Sequence, residues 1–165
     1  LLLEDDTIIP ENLFEILEFS ETKIRQGDVA LLYWKAYEPV RLAEPQIETY
    51  FNFNFYSPLN YRALTSGCAF IVSKKAAEKM LRFNSPIHSA PDNWHHFYDN
   101  GCIDRFMCAY PPVVALANLK STMQKGRLSF LRELIYRYKI FPLYQLLQYQ
   151  RGKKLDEGHD VVFEK

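Results

Sequence analysis

Apolar residues along the chain occur in short runs bounded by polar residues or prolines. Leu1 to Leu3 form one such run, and it stops abruptly at Glu4, which is typical of the C-terminal end of a buried parallel strand. Later runs have the length and the aliphatic or aromatic content of short buried strands. The predicted strands are residues 1–3, 29–34, 69–72, 106–110 and 113–117.

Other segments repeat their apolar residues at helical spacing. Leu13, Phe14 and Leu17 predict an amphipathic helix, and Ser73 is a suitable N-cap for the helix that follows it. Pro142 divides a final helical pattern into two parts. The predicted helices are residues 10–19, 74–83, 93–100, 128–140 and 143–150.

The segment between residues 35 and 62 gives a weaker signal. Phe51, Phe53 and Phe55 alternate with asparagines, as in a half-buried strand, although the same segment could form a long acceptor loop. The alternation of strands and helices over the whole chain predicts an α/β domain.

Composition narrows the class of protein. The chain has 165 residues and is 48% hydrophobic, which suffices for one domain with a sizeable core. No apolar run approaches the roughly 18 residues of a membrane-spanning helix. Three cysteines without a CxxC pair fit reduced cytosol better than a disulfide framework or a zinc site. The sequence begins at Leu1 with no leader peptide, so its start looks trimmed.

Charge is distributed unevenly along the chain. Residues 120–154 carry nine basic side chains and one acidic one, whereas residues 1–119 carry ten basic and fifteen acidic ones. The basic stretch, which also contains aromatic residues, is typical of a helix on an anionic membrane surface. It is equally typical of a helix packed on the domain with its basic side chains in water. Nucleic acid is not an expected partner, since no recognised binding motif accompanies the charge.

Glu4, Asp5 and Asp6 place three carboxylates in succession after the first predicted strand. A hard cation would offset their repulsion, and it could bridge the phosphates of a nucleotide-diphosphate sugar and neutralise the departing diphosphate. The alternative is a solvated acidic turn before a helix, favoured by the helix dipole.

Four segments occur in a characteristic order along residues 1–128. They are Leu2-Leu3-Glu4-Asp5-Asp6, the segment from Thr65 to Ala77, Ala90-Pro91-Asp92, and Tyr110-Pro111-Pro112. In this respect the chain resembles glycosyltransferase family 25, which includes lipooligosaccharide galactosyltransferases of bacteria and the collagen galactosyltransferases. It departs from the family after Pro112, where a glutamine often follows the valines and Ala115 to Asn118 stand here.

The resemblance implies a GT-A fold, a type of α/β fold, of which this sequence holds only the C-terminal part. The nucleotide-binding half that the family has before the acidic motif is not in the sequence. The expected organisation is a catalytic α/β part at residues 1–119 and a basic, amphipathic, helical extension at residues 120–165.

The resemblance also implies roles on the donor side. Glu4, Asp5 and Gly67 would contact the nucleotide-diphosphate sugar, and Asp6 with Asp5 would ligate Mn²⁺ or Mg²⁺. Both cations take carboxylate oxygens as ligands.

On the acceptor side, the resemblance makes Asp92 the catalytic general base that takes the proton of the acceptor hydroxyl. Its alternative role is the N-cap of a helix at Asn93. Asn93 and Trp94 would contact the acceptor sugar, Trp94 through its ring face unless that ring packs in the core. His95 and His96 point about 100° apart on a helix, so they cannot easily share one metal.

These expectations combine into one predicted activity. It is an inverting, metal-dependent transfer of a hexose, galactose by family resemblance, from a nucleotide-diphosphate sugar to a saccharide or lipid-linked saccharide during synthesis of cell-surface lipooligosaccharide. The predicted location is the cytoplasm, with peripheral contact at the inner face of the membrane. The alternatives are a non-catalytic remnant that binds a partner, and a metal-dependent phosphohydrolase that uses the same carboxylates to activate water.

Overall fold

The structure is a computed structural model that describes residues 1–36, 38–117, 134–135, 137–145 and 161–164. The chain divides into two compact units, one of residues 1–117 with 156–165 and one of residues 118–155. None of the described helices is long and apolar enough to cross a membrane.

In the second unit, residues 134–135, 137–138 and 143–145 are helical. The remaining residues of the two helices predicted at 128–140 and 143–150 lie outside the described part, apart from the short connection at 139–140.

The described part of the first unit contains eleven strands, three α-helices and a 3-10 turn at Tyr61–Ala63. The strands are β1 (Leu2–Leu3), β2 (Thr7–Ile8), β3 (Asp28–Leu31), β4 (Lys35–Ala36), β5 (Val40–Ile47), β6 (Asn54–Pro58), β7 (Leu64–Thr65), β8 (Ala69–Val72), β9 (Arg105–Tyr110), β10 (Ala115–Leu116) and β11 (Val161–Phe163). The helices are α1 (Leu13–Lys23), α2 (Lys74–Phe83) and α3 (Trp94–Asp99).

Seven strands form a mixed sheet in the order β1-β8-β3-β9-β6-β5-β11. Strands β3 and β9 run parallel, as do β5 and β11, and the other neighbouring pairs are antiparallel. Two small sheets pair β2 with β10 and β4 with β7. The chain therefore has the mixed α/β architecture that the alternating pattern predicts.

Helices cover both faces of the central strands. Val29 and Leu31 of β3 pack in one core cluster with Ala76 of α2, whereas Ala30 packs in the other cluster with Ile16 of α1. A strand covered on both faces needs apolar residues at successive positions, which explains the continuous apolar run in β3.

The first strand differs from its prediction. Strand β1 lies at the edge of the sheet and runs antiparallel to β8, and the side chain of Leu2 is 52% exposed. The expectation of a buried parallel strand at residues 1–3 is therefore wrong. An apolar run predicts a strand, but it does not specify the strand that pairs with it.

Helix α2 has the bounds predicted for it, and Ser73 is its N-cap. The Ser73 hydroxyl oxygen accepts a hydrogen bond from the Ala76 N–H (3.3 Å) and another from the Gly27 N–H (2.7 Å). One side chain thus begins the helix and ties it to the turn before β3.

Gly27 occupies a position that a larger residue cannot take without strain. Its φ is +105°, and a Cβ there would lie 2.1 Å from Oδ2 of Asp104, which pairs with Lys75 and Lys79. Gly27→Ala is expected to lower the free energy of unfolding by about 3 kcal/mol, as measured by urea denaturation. Gly101→Ala is the matched variant, since Gly101 has a φ of +69° with open space around it, and about 1 kcal/mol is expected there. Equal losses in the two variants would contradict this account.

Candidate functional site

The predicted site residues lie beyond the carboxyl ends of the parallel strands β3 and β9. The N–H of Leu32, just after β3, donates to the carbonyl of Ala69 (2.9 Å), and the N–H of Val113, after β9, donates to the carbonyl of Leu32 (2.8 Å). These bonds place the segments that enter β8 and leave β9 at the same end of the sheet. Ligands of open α/β sheets bind at this end.

The acidic segment is a turn between β1 and β2 that backbone groups hold at both ends. The N–H of Glu4 donates to the carbonyl of Cys68 (2.8 Å), which also accepts from the Thr7 hydroxyl (3.2 Å). The N–H of Ala117 donates to the carbonyl of Asp6 (2.7 Å). The carboxylates therefore project from a fixed backbone.

The three carboxylates of this turn differ in exposure. Glu4 and Asp5 are exposed, whereas Asp6 is half-buried. Oδ1 of Asp6 is buried and has no hydrogen-bond partner among the described residues. A buried carboxylate oxygen without a partner is unfavourable, so this atom is suited to a cation or to a donor group of a ligand.

The pKa of the buried Cys68 thiol is raised by its burial and, to a smaller extent, by the negative charge of the acidic turn. Burial is the main reason why the pKa of Cys68 is raised to about 11; hydrogen bonding to Glu4 and the charges of Glu4 and Asp6 raise it as well, while the Ser66 hydroxyl lowers it. The carboxylates of Glu4 and Asp6 are therefore both close enough to Cys68 to affect its pKa. The thiol stays protonated at neutral pH, which argues against Cys68 as a nucleophile.

Gly67 separates Glu4 from Asp92. A Cβ on Gly67 would lie 3.5 Å from Cβ of Asp92 and 4.0 Å from Oε1 of Glu4. An alanine would fit at these distances, but a larger side chain would fill the space between the two carboxylates. The structure therefore brings together three predicted site residues from distant parts of the sequence.

Asp92 is held by a hydrogen bond from a neighbouring loop. The hydroxyl of Thr65 donates to Oδ2 of Asp92 (3.2 Å), and Oδ1 makes no hydrogen bond within the described part of the chain. Helix α3 begins at Trp94, and Asn93 at its N-cap position makes no capping bond through its side chain. The alternative in which Asp92 caps a helix at Asn93 is wrong, because the carboxylate is directed to Thr65.

Asp92 borders a cavity of about 260 Å³, close to the lower end of the roughly 300 to 1,000 Å³ usual for small-molecule sites. Arg62 supplies a positive charge at this cavity. Hydrogen bonding with Tyr61 and the charge of Asp99 raise the pKa of Arg62, whose guanidinium lies 2.9 Å from Asp99. The lining residues are Arg62, Leu64, Thr65, Ala90, Asp92, Asn93 and His95.

Asn93 and His95 both face this cavity, whereas His96 does not line it. The ring of His96 lies 5.1 Å from that of Phe83 and 5.8 Å from that of His88, measured between centroids. The side chains of the two adjacent histidines thus point in different directions, as their helical spacing predicts.

Trp94 lies in the core and offers no face to an acceptor. Its side chain is 0% exposed, its ring packs against Phe70 and Phe106, and its indole N–H donates to the carbonyl of Ser66 (2.9 Å). The predicted contact between Trp94 and a sugar is therefore replaced by the packed alternative. The indole instead anchors the loop that carries Ser66, whose φ of +93° is unusual for a residue other than glycine.

Sequence reasoning assigned no role to two residues of the cavity, Thr65 and Arg62. Thr65 begins one of the four segments that carry the family resemblance, but only the structure shows that its hydroxyl donates a hydrogen bond to Asp92. Arg62 ends the stretch with the weakest pattern, so no periodicity singles it out.

A scan against protein-family models and searches of curated proteins and of solved structures give no match to this chain.

Proposed function

We propose that this chain is part of an inverting, metal-dependent glycosyltransferase with a GT-A fold, which moves a hexose from a nucleotide-diphosphate sugar to a saccharide acceptor. The observation that supports it best is the approach of Glu4 and Asp92 across Gly67. The same acidic turn carries Asp6, whose Oδ1 is buried without a partner among the described residues. An inverting transfer uses acidic ligands on the donor side and a separate carboxylate on the acceptor side.

The acidic turn fits a divalent cation held partly by the substrate. Asp6 offers a buried oxygen without a partner, and the neighbouring Asp5 is exposed. Among the described residues, no group of three or more His, Cys, Asp or Glu side chains is arranged to hold a metal. Mg²⁺ is often bound by one or two carboxylates together with phosphates and water, so Asp5 and Asp6 suffice in number. The bound cation would neutralise charge on the departing diphosphate.

Asp92 provides the base on the other side of Gly67. Thr65 fixes Oδ2, which leaves Oδ1 for the acceptor hydroxyl. As the hydroxyl oxygen bonds to the anomeric carbon and the bond from that carbon to the diphosphate breaks, the hydroxyl proton passes to Asp92. Attack from the face opposite the leaving group inverts the anomeric centre.

The Asp92 cavity would hold the reacting end of the acceptor. Asn93 and His95 line it and carry groups that can donate and accept hydrogen bonds. Galactose as the transferred sugar rests on the family resemblance alone.

An assay of nucleoside diphosphate release tests this proposal. The intact protein is incubated with a panel of nucleotide-diphosphate hexoses and Mn²⁺, with and without saccharide acceptors. Release that depends on an acceptor supports transfer. Release of nucleoside monophosphate with hexose 1-phosphate, which follows when water attacks the diphosphate, would instead support a phosphohydrolase. Donor binding without any release would support a non-catalytic binding module.

The basic segment at residues 120–154 is proposed to bring the enzyme to anionic lipid. In its described part, Tyr138 and Phe141 are 66% and 75% exposed, and the exposed cations Arg137 and Lys139 lie on either side of Tyr138 in the sequence. Exposed aromatic residues beside cations are typical of a surface that contacts a membrane interface.

Sedimentation with vesicles checks this membrane contact. Binding to phosphatidylglycerol vesicles should weaken steeply with added salt, because exposed charges are screened within about 8 Å at physiological ionic strength. Arg137→Gln with Lys139→Gln should weaken binding, whereas Lys74→Gln with Arg82→Gln on α2 removes the same charge elsewhere and should not. Equal sedimentation with phosphatidylcholine and phosphatidylglycerol would rule out the contact.

A further inference from the structure

A second cavity, of about 370 Å³, lies beside the C-terminal end of β9. Its volume falls within the roughly 300 to 1,000 Å³ usual for small-molecule sites. None of its lining residues carries a charge, and none of them lines the Asp92 cavity. Five of the lining residues are aromatic: Phe51, Phe53, Tyr56, Tyr110 and Phe163.

The rings at one wall form a corner instead of a parallel slot. The ring centroid of Phe163 lies 5.5 Å from that of Tyr56 and 5.8 Å from that of Tyr110, with interplanar angles of 60° and 68°. Phe163 is 55% exposed, so a ligand can reach its face. Two further lining rings, Phe51 and Phe53, are parallel, but with centroids 5.7 Å apart they stack on each other and leave no gap for a flat base. A puckered sugar ring can lie with one C–H face on a single ring.

Polar groups that have no partner in the described part of the chain lie among these rings. The hydroxyls of Tyr56 and Tyr110 and the exposed amide of Asn52 make no hydrogen bond within the described residues. Oδ1 of Asn54 accepts from the N–H of Thr49 (2.8 Å), which leaves the amide nitrogen of Asn54 as a donor. Hydroxyl and amide groups together can both donate and accept, as the hydroxyls of a sugar require.

We infer that this cavity binds a neutral saccharide. Aromatic faces can pack against the apolar face of a sugar ring, and the hydroxyl and amide groups can hydrogen-bond to the hydroxyls at its edge. The lining residues carry no charge, so a phosphorylated or acidic ligand would find no counter-charge among them. The inference goes beyond the proposed transfer reaction, because binding at this cavity requires neither donor nor turnover.

Binding of the intact protein to an array of neutral oligosaccharides, with lactose as one member, tests this inference by calorimetry. Uridine and inorganic phosphate serve as ligands of other classes. At least one neutral saccharide should bind with an affinity that added salt leaves unchanged, since no charged side chain lines the cavity. No saccharide binding, or tighter binding of uridine or phosphate at this cavity, would overturn it.

Variants locate the binding site. Phe163→Ala should weaken saccharide affinity about tenfold because it removes the exposed ring face, whereas Phe14→Ala, on a ring that is 80% exposed on α1, should leave it unchanged. Tyr110→Phe removes one hydroxyl with little change of shape and should weaken affinity about fivefold, so it serves if Phe163→Ala disturbs β11. Wild-type affinity in both cavity variants would overturn the assignment.

Discussion

Asp92→Asn is expected to lower turnover by a factor on the order of 10² to 10⁴ while the protein keeps its stability. The amide cannot take the proton of the acceptor hydroxyl. Its oxygen can still accept the hydrogen bond from the Thr65 hydroxyl, so the loop should keep its position. Donor affinity should survive, because Asp92 serves the acceptor side. The measurements are turnover and melting temperature on the same preparation of the intact protein.

Asp104→Asn is the matched replacement for this experiment. Asp104 lies just before β9, at the opposite end of the strand from the site, and pairs with Lys75 and Lys79 on the surface. Its turnover should stay near that of the wild type. Wild-type turnover in Asp92→Asn would show that Asp92 is not the base. In that case Thr65→Val, which removes the hydrogen bond to Oδ2 of Asp92, should also leave turnover unchanged.

Asp6→Asn is expected to abolish the part of donor binding that depends on metal. The replacement exchanges a half-buried carboxylate, whose Oδ1 has no partner among the described residues, for a neutral amide that is a weak ligand for a hard cation. Without metal, its melting temperature should stay near that of the wild type, because Asp6 is only half-buried and Oδ1 has no hydrogen bond to lose among the described residues. Calorimetric titration with a nucleotide-diphosphate sugar, with and without Mn²⁺, measures the effect.

Glu15→Gln provides the comparison, since Glu15 is an exposed carboxylate on the first turn of α1 and should leave donor affinity unchanged. Equal donor affinity of wild type and Asp6→Asn, both with and without metal, would show that Asp6 is not a ligand. A marked loss of stability without metal would show that the Asp6 carboxylate has a structural role instead.

Local signals decide which elements the sequence could predict. Helix α2 has a serine cap and a run of helix-forming residues, and its predicted bounds match the structure. Strand β8 has the bounds predicted for it, whereas β3 spans Asp28–Leu31 and ends three residues before the end of the predicted strand 29–34. Helix α1 is displaced toward the C-terminus, from the predicted residues 10–19 to Leu13–Lys23, since polar helix formers extend it beyond its apolar stripe.

Pairing between distant segments was harder to predict. Strand β5 contains a proline and two charged residues, and β11 is only three residues long, so neither has a strong strand pattern. Strand β11 pairs with β5, with Val161 opposite Val40, and β5 is held on its other side by β6. The same limit explains the wrong orientation predicted for β1.

The sequence predicts which residues belong to the candidate site, but not how they are arranged in space. Residue types and the family resemblance select Glu4, Asp6, Gly67 and Asp92, but no spacing rule states that Gly67 stands between two carboxylates. Trp94 shows the opposite case, because an aromatic residue next to a presumed base suggests a sugar contact until its burial is known.

The pairing of β11 with β5 has a consequence for folding during synthesis, because the two strands are far apart in the sequence. The outer edge of β5 stays unpaired until the ribosome has synthesised β11 at Val161–Phe163, whereas its inner partner β6 follows soon after β5. An unpaired edge is a template for aggregation, and β5 carries Arg41, Glu44 and Pro45, which are the kinds of residue that discourage foreign strands. The weak strand pattern of β5 is therefore also its protection during synthesis.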